Sequence, residues 1–382
     1  MKKFLLIFCF VTGTHAFAQD IAFAKSVVKE LTDKKYWGRG YTNNGMKKAA
    51  DYLIKEFQEF GIKPLAGKNY LQKFYYPVNT FPGKMQLQIN GKALNAGIDF
   101  IVSPDAIGVK GKGKLVKKDS VTFINNEFRV IINIAEKLTW SVSQTAENYT
   151  LIQIDKKSLP DEPLTFDINI ENKLLNKFEA ANVCGMVKGT QVPDSFIFIT
   201  AHYDHLGGMG NNTYFPGAND NASGISLLLN VARYYPKHPQ KYSIGFICFA
   251  GEEAGLLGSK YFTEHPLINL NKIRFLTNTD LAGTGEEGIT VVNATEFTKE
   301  FQLMNAVNNE QHLLTKINAR GKAANSDHYW FTEKGVPAFF FYTLGGIKAY
   351  HDVYDRSETL PLNKHEDLFK LLIAFNAKLM GL

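Results

Sequence analysis

Carboxylates and imidazoles gather in a few short stretches of this 382-residue chain. His202-Tyr203-Asp204-His205 closes the apolar run IFIT, and Asp220 stands in GANDNASG after a loop rich in Gly and Asn. Glu252 and Glu253 follow SIGFICFAG, Asp280 ends FLTNTD, and His351 lies in AYHDVYD. Alternate residues on a strand share a face, so His202 and Asp204 can point the same way. A histidine that binds metal commonly gives its other ring N–H to a carboxylate, the part Asp204 can take toward His202. A surface strand end explains an H-x-D equally well. Asp220 falls where a helix begins, and an N-cap is the ordinary role there. Three polar residues in a row exceed what one cap requires. Asn221 also opens an N-x-S sequon, but its surroundings read as enclosed, which argues against glycosylation.

The Glu252-Glu253 pair is the sharper signal. Two adjacent carboxylates at the end of a buried strand repel and lose hydration unless something positive compensates. A metal ion would do so, and because consecutive side chains diverge, one carboxylate can bind it while the other faces substrate. The plain alternative is a solvated pair opening a helix. In Asn325-Ser326-Asp327-His328, Ser326 reads as a helix cap, and a structural role for Asp327 and His328 outweighs a catalytic one. His238, His265, His312 and His365 read as loop or helix-surface residues.

These stretches need elements to hold them. Helical periodicity is present over 22–33 and 44–60, the second stopped by Gly61 and Pro64. From about 69 to 170, short alternating runs such as MQLQIN, RVIINI and TLIQID are broken by Gly, Asn, Asp and Pro, predicting a small β-rich insertion. Beyond 180, strands are expected at 182–187, 196–202, 242–250, 273–280, 289–293 and 336–342. Helices are expected at 223–235, 254–263, 296–308 and 364–380. Alternating βα units with apolar strands predict an α/β sheet covered on both faces. Ligand sites of such sheets form at the carboxyl ends of strands, where the acidic residues and histidines fall.

Together AHYDHLG, GANDNASG, FAGEEAGLLGS, NTDLAG, SDHYWFTEKGVPAFFF and YHDVYDRSET resemble metallopeptidase family 28, which includes aminopeptidase Y and bacterial leucyl aminopeptidases. The resemblance covers 180–382 and extends weakly to Gly38-Arg39-Gly40. It implies an α/β fold with a mixed, mostly parallel sheet sandwiched by helices, as in zinc exopeptidases. It also implies two zinc ions per chain. Asp220 would bridge them, His202 and Asp280 would complete one site, and Glu253 and His351 the other. Glu252 would be the general base and Asp204 would orient His202. Such a ligand set suits zinc, with cobalt or manganese as substitutes in vitro. A metal-activated hydroxide would attack the scissile carbonyl while Glu252 carries the proton to the leaving amine. The expected organisation is a signal peptide at 1–18, an N-terminal helical part at 19–68, a β-rich insertion at 69–179 and the peptidase core at 180–382. In some family members the insertion resembles a protease-associated domain. Asn219 replaces one member of an acidic pair common in the family. The expected activity is aminopeptidase action on peptides with a free N-terminus. The rivals are a single-zinc glutaminyl cyclase, a carboxypeptidase, for which no Arg cluster is evident, and an inactive peptide-binding protein.

Composition agrees with a globular chain: 45% hydrophobic and 21% charged. Net charge is +6, or +4 without Lys2 and Lys3, too mild and dispersed for nucleic acid. Met1-Lys2-Lys3, an apolar run from Phe4 to Val11 and Ala16-Phe17-Ala18 read as a secretory signal, with cleavage expected after Ala18. This predicts export to the periplasm or beyond the cell, without stable membrane insertion after cleavage. Cys184 and Cys248 lie in apolar runs and read as buried thiols rather than a disulfide.

Overall fold

The computed structural model describes residues 21–381, so the expected signal segment lies outside the described residues. A nine-stranded mixed sheet forms the body. Its strands are β1 (Lys63–Pro64), β2 (Leu71–Thr80), β3 (Lys173–Val187), β4 (Val192–His202), β5 (Tyr242–Phe249), β6 (Ile273–Thr279), β7 (Ile289–Val292), β8 (Ile317–Ala319) and β9 (Ala338–Thr343). The order is β1-β3-β5-β4-β6-β9-β7-β8, with β2 also paired to β3. The central strands β5, β4, β6 and β9 are mutually parallel, and β3 and β7 join them antiparallel.

Helices cover both faces. Along β4, Ile197, Ile199 and Ala201 enter one core, shared with α1 (Ile21–Leu31), α2 (Gly45–Phe60), α3 (Gly224–Tyr234), α5 (Thr298–Gln311) and α7 (His365–Leu379). The intervening Phe196 and Phe198 enter the other, shared with Phe262 of α4 (Leu257–Glu264) and Phe331 of α6 (His328–Glu333). Burial on both faces is why these strands read as continuous apolar runs. Cys184 and Cys248 are buried and unbridged. No helix among the described residues is long and apolar enough to cross a membrane.

The region expected as a β-rich insertion at 69–179 divides differently. Its first segment, β2, pairs with β3 from Lys173 to Val183, so both extend the large sheet. Between them lie a five-stranded and a four-stranded sheet. Their shared core takes in Leu206, Met209, Phe215 and Val353 from the loops of the main body. The alternating runs within 81–172 gave no sign of this sharing, because the partners are distant in sequence.

Candidate metal centre

Parallel neighbours end at one edge of a sheet, and three of them deliver the site. β4 ends at His202, β5 is followed by the Glu252-Glu253 turn, and β6 is followed by Asp280. The loop before α3 brings Asp220, and the loop between β9 and α7 brings His351. The glutamates precede α4 rather than opening it. Gly255 and Leu256 N–H close a turn onto the Glu252 carbonyl, and the helix begins at Leu257. A dipole-favoured surface pair therefore does not describe them.

The Asp220 loop is held from behind. The carboxylate of Asp355 accepts from the Asn219 N–H at 2.8 Å and the Asp220 N–H at 3.0 Å. The fully buried Arg39 guanidinium donates to the carbonyls of Leu31, Tyr203, Pro216, Gly217 and Asp220. Gly217 has φ of 63°, and a Cβ there would lie 2.2 Å from the Asp220 carbonyl oxygen and 2.4 Å from the His205 ring, so only glycine fits. Asn219 is more than a neutral stand-in for an acid. Its Oδ1 accepts from the Gly283 N–H at 2.9 Å, tying this loop to the one after Asp280. Asn221 is buried, its amide bonded to Thr279 and Gly224, which agrees with an enclosed sequon.

The side chains converge on two foci. His202 Nε2 stands 3.3 Å from Asp220 Oδ1 and 3.3 Å from Asp280 Oδ1. His351 Nε2 stands 3.0 Å from Asp220 Oδ2 and 3.3 Å from Glu253 Oε2. Glu252 belongs to the first focus, its carboxylate within 4.8 Å of the ligand atoms of His202 and Asp280. His202 Nε2 and Asp280 Oδ1 are buried and lack hydrogen-bond partners. Buried polar atoms are normally paired, and a cation that both can face would supply the missing partner.

Electrostatics say the same. Burial pushes the Glu252 carboxyl well up and Glu253 to about 7, the latter helped by Asp220. Burial alone would depress both histidines. The opposing pull of Asp280 and Glu252 takes His202 well above the usual range, and that of Glu253 and Asp220 takes His351 to about 9. The chain thus packs carboxylates and imidazoles closely enough that burial and mutual charge shift Glu252, Glu253, His202 and His351 together. A divalent ion at each focus fits the donors, which are oxygen and nitrogen atoms of the kind zinc accepts.

Expected residues fall as follows. His202, Asp220, Glu253, Asp280 and His351 come together, with Glu252 beside them. Asp204 is placed differently from expectation. The strand stops at His202, so the alternate-residue geometry does not carry through. The Asp204 carboxylate lies 3.8 Å from His202 Nδ1, and its backbone carbonyl is nearer at 3.3 Å. The carboxylate instead accepts from the N–H groups of Glu252 at 3.2 Å and Glu253 at 3.4 Å. Asp327, read as structural, is fully buried, and its charge is among those raising Glu252.

Residues not singled out from the sequence also belong here. His205 Nδ1 is 2.7 Å from Glu253 Oε1, and His205 forms a second ligand-like group with Asp220 and Glu253. Its place in HYDH was the available signal. Tyr350 stacks on His351 with ring centroids 4.0 Å apart, and it is 42% exposed. Its phenol is raised by burial, then by the charges of Asp220, Glu253, Asp280 and Glu252.

Residues 182–376 match the sequence profile of Peptidase family M28. The chain belongs to that family. Aminopeptidase YwaD of Bacillus subtilis (strain 168) is 26% identical over 268 residues, which is 65% of this chain and 56% of that one. A probable zinc metalloprotease of Pyrenophora teres f. teres (strain 0-1) is 33% identical over 112 residues, 28% of this chain and 23% of that one. The chain thus spans about half the length or less of these curated relatives. Among solved structures, BSAP, a zinc aminopeptidase from Bacillus subtilis, superposes with TM-score 0.68 at 18% identity over 94% of both chains. A Peptidase M28 precursor from Shewanella amazonensis SB2B gives 0.69 at 16% identity, over 95% of this chain and 93% of that one. At such identities the likeness is one of fold, and the mixed α/β sheet of the M28 fold is common to all three.

Proposed function

We propose that this chain is an exported di-zinc aminopeptidase that removes N-terminal residues from peptides, with Glu252 as general base. One observation carries the reading: the two oxygens of Asp220 face two different histidines, and each histidine has its own further carboxylate, Asp280 or Glu253. His202, Asp280 and Asp220 would hold one ion, and His351, Glu253 and Asp220 the other. Bound zinc supplies a Lewis acid for a carbonyl and lowers the pKa of water.

The chain's own groups do the rest. Glu252 is partly exposed and its raised basicity suits a group that takes a proton from water and delivers it to the leaving amine. The Tyr350 O–H, carried by the ring stacked on His351, is the candidate donor to the developing oxyanion. A free peptide N-terminus offers an amine lone pair that one of the two ions would accept, as an exopeptidase requires. The names of YwaD and BSAP support the same reading.

The test is zinc content of the purified protein together with hydrolysis of aminoacyl p-nitroanilides. Two zinc per chain and cleavage abolished by a chelator are expected. One zinc, no cleavage and cyclisation of a Gln-terminal peptide would assign a glutaminyl cyclase instead. No zinc would leave a peptide-binding protein. Export is tested by N-terminal sequencing of the cell-released protein, expected to begin at Gln19.

A further inference from the structure

Among the described residues the β-rich insertion supplies none of the candidate ligands, yet one of its connections reaches the candidate metal centre. Strands Val130–Ala135 and Thr150–Asp155 are adjacent and parallel. Parallel neighbours need a long crossover, usually a helix. Here residues 136–149 contain no helix or strand and cross to the main body instead.

Three residues tie this crossover to loops that carry the site. Lys137 Nζ reaches the Lys348 carbonyl at 3.2 Å and lies 3.7 Å from the Asp352 carboxylate, flanking His351. Gln144 Nε2 donates to the Ala254 carbonyl at 2.9 Å, directly after Glu253. Between them, Trp140 pairs with His351 itself. Its N–H donates to the His351 carbonyl at 2.9 Å, and its carbonyl lies 2.9 Å from His351 Nδ1. That carbonyl can only accept, so Nδ1 carries a proton, and Nε2, which faces Asp220 and Glu253, is the atom that would coordinate a bound ion.

The Trp140 side chain explains why the backbone stays there. The indole is 5% exposed, and its Nε1 donates to the Val102 carbonyl at 2.7 Å inside the insertion. Its ring stacks on Phe215 with centroids 4.6 Å apart. Phe215 lies just ahead of Pro216 and Gly217, in the loop that presents Asp220. One residue of the insertion therefore anchors in the insertion core, packs on the Asp220 loop and fixes the tautomer of His351.

We propose that Trp140 is a positioning residue for the ion held by His351, Glu253 and Asp220, so that the insertion sets the affinity of that one ion. This rests on the di-zinc reading above. The bonds that Lys137, Trp140 and Gln144 make to the main body end on Lys348, Asp352, His351 and Ala254, so the ion at His202 and Asp280 should be affected less.

The experiment measures zinc stoichiometry and the affinity of each ion by chelator competition, on the full mature chain, for wild type, Trp140→Ala, Trp140→Phe and Gln144→Ala. Thermal melting and circular dichroism are recorded alongside. Wild type should bind two ions. Trp140→Ala should weaken one ion by about 10- to 100-fold and leave the other within a few fold. Trp140→Phe, which keeps an aromatic ring for Phe215, should recover part of the loss. Gln144→Ala, a small change at the far end of the crossover, should weaken the same ion by a few fold, and it carries the test if Trp140→Ala does not fold. Two ions of unchanged affinity in folded Trp140→Ala, or in Gln144→Ala where the former is lost, would overturn the proposal and leave the di-zinc reading intact. Equal weakening of both ions would also overturn it, since that is what loosened packing does. A wild type that binds no zinc would instead remove the reading on which the proposal stands.

Discussion

His205 Nδ1 lies 2.7 Å from Oε1 of Glu253, while the opposite oxygen, Oε2, faces His351 at 3.3 Å. His205 is fully buried and held well below the usual histidine range by that burial, so it is a neutral donor rather than a counter-ion. An N–H donated to one oxygen leaves the other free and aimed. His205→Ala should therefore lower zinc affinity by about 10- to 100-fold. His205→Asn, which retains a donor, should lose less. Chelator competition on both variants measures this, and equal affinity in His205→Ala and wild type would show that Glu253 needs no such partner.

Glu252→Gln separates proton transfer from metal binding. Glutamine keeps the shape but cannot accept the proton. Because His202, Asp220, Glu253, Asp280 and His351 all remain, zinc content and melting temperature should match wild type. Turnover of an aminoacyl p-nitroanilide should fall by about 10²- to 10⁴-fold. A variant that retains both zinc and turnover would transfer the role of base to another carboxylate.

Arg39 meets carbonyl oxygens rather than a carboxylate, five of them from segments around the Asp220 loop. A guanidinium offers five donors in a rigid fork, and an ammonium three on a flexible stem. Arg39→Lys should thus leave buried carbonyls unpaired and destabilise the protein by about 3 kcal/mol. Denaturant unfolding of the two proteins gives the difference, and a loss within a few tenths would mean that water replaces the fork.

Much of this centre could be read from the chain. Apolar strands that end in Asp, Glu or His mark the carboxyl edge of a doubly covered sheet, so His202, Glu253 and Asp280 were legible one by one. Other parts were not. Asp204 follows alternation only if the strand continues, and it stops at His202. His205 and Tyr350 sit beside stronger signals and acquire meaning only when Glu253 and His351 approach them. The pairing of Leu71–Thr80 with Lys173–Val187, and the reach of Trp140 to His351, join segments far apart in sequence. Local pattern carries no trace of such partners, because each is chosen by the shape of the assembled body.

Away from the centre, His365 should make the fold sensitive to acid. It is fully buried, and its Nε2 lies 2.8 Å from Asn230 Nδ2. The amide N–H donates there, so Nε2 accepts and the ring is neutral. Protonation would set two donors face to face, and burial already lowers the pKa to about 4. An unfolded histidine titrates near ~6.5. Between these values the unfolded chain binds a proton that the native ring refuses. Stability contributed by the neutral ring is therefore full above pH ~6.5 and declines as pH falls toward 4, by about 3 kcal/mol for this shift. His328, also lowered to about 4 by burial, adds to the same window. His365→Gln keeps an acceptor for Asn230 and has no titration. Its melting temperature should drop less between pH 7 and pH 4.5 than that of wild type, and the difference of the two drops isolates His365 from every other group. Identical drops would mean that the ring is already charged in the native fold.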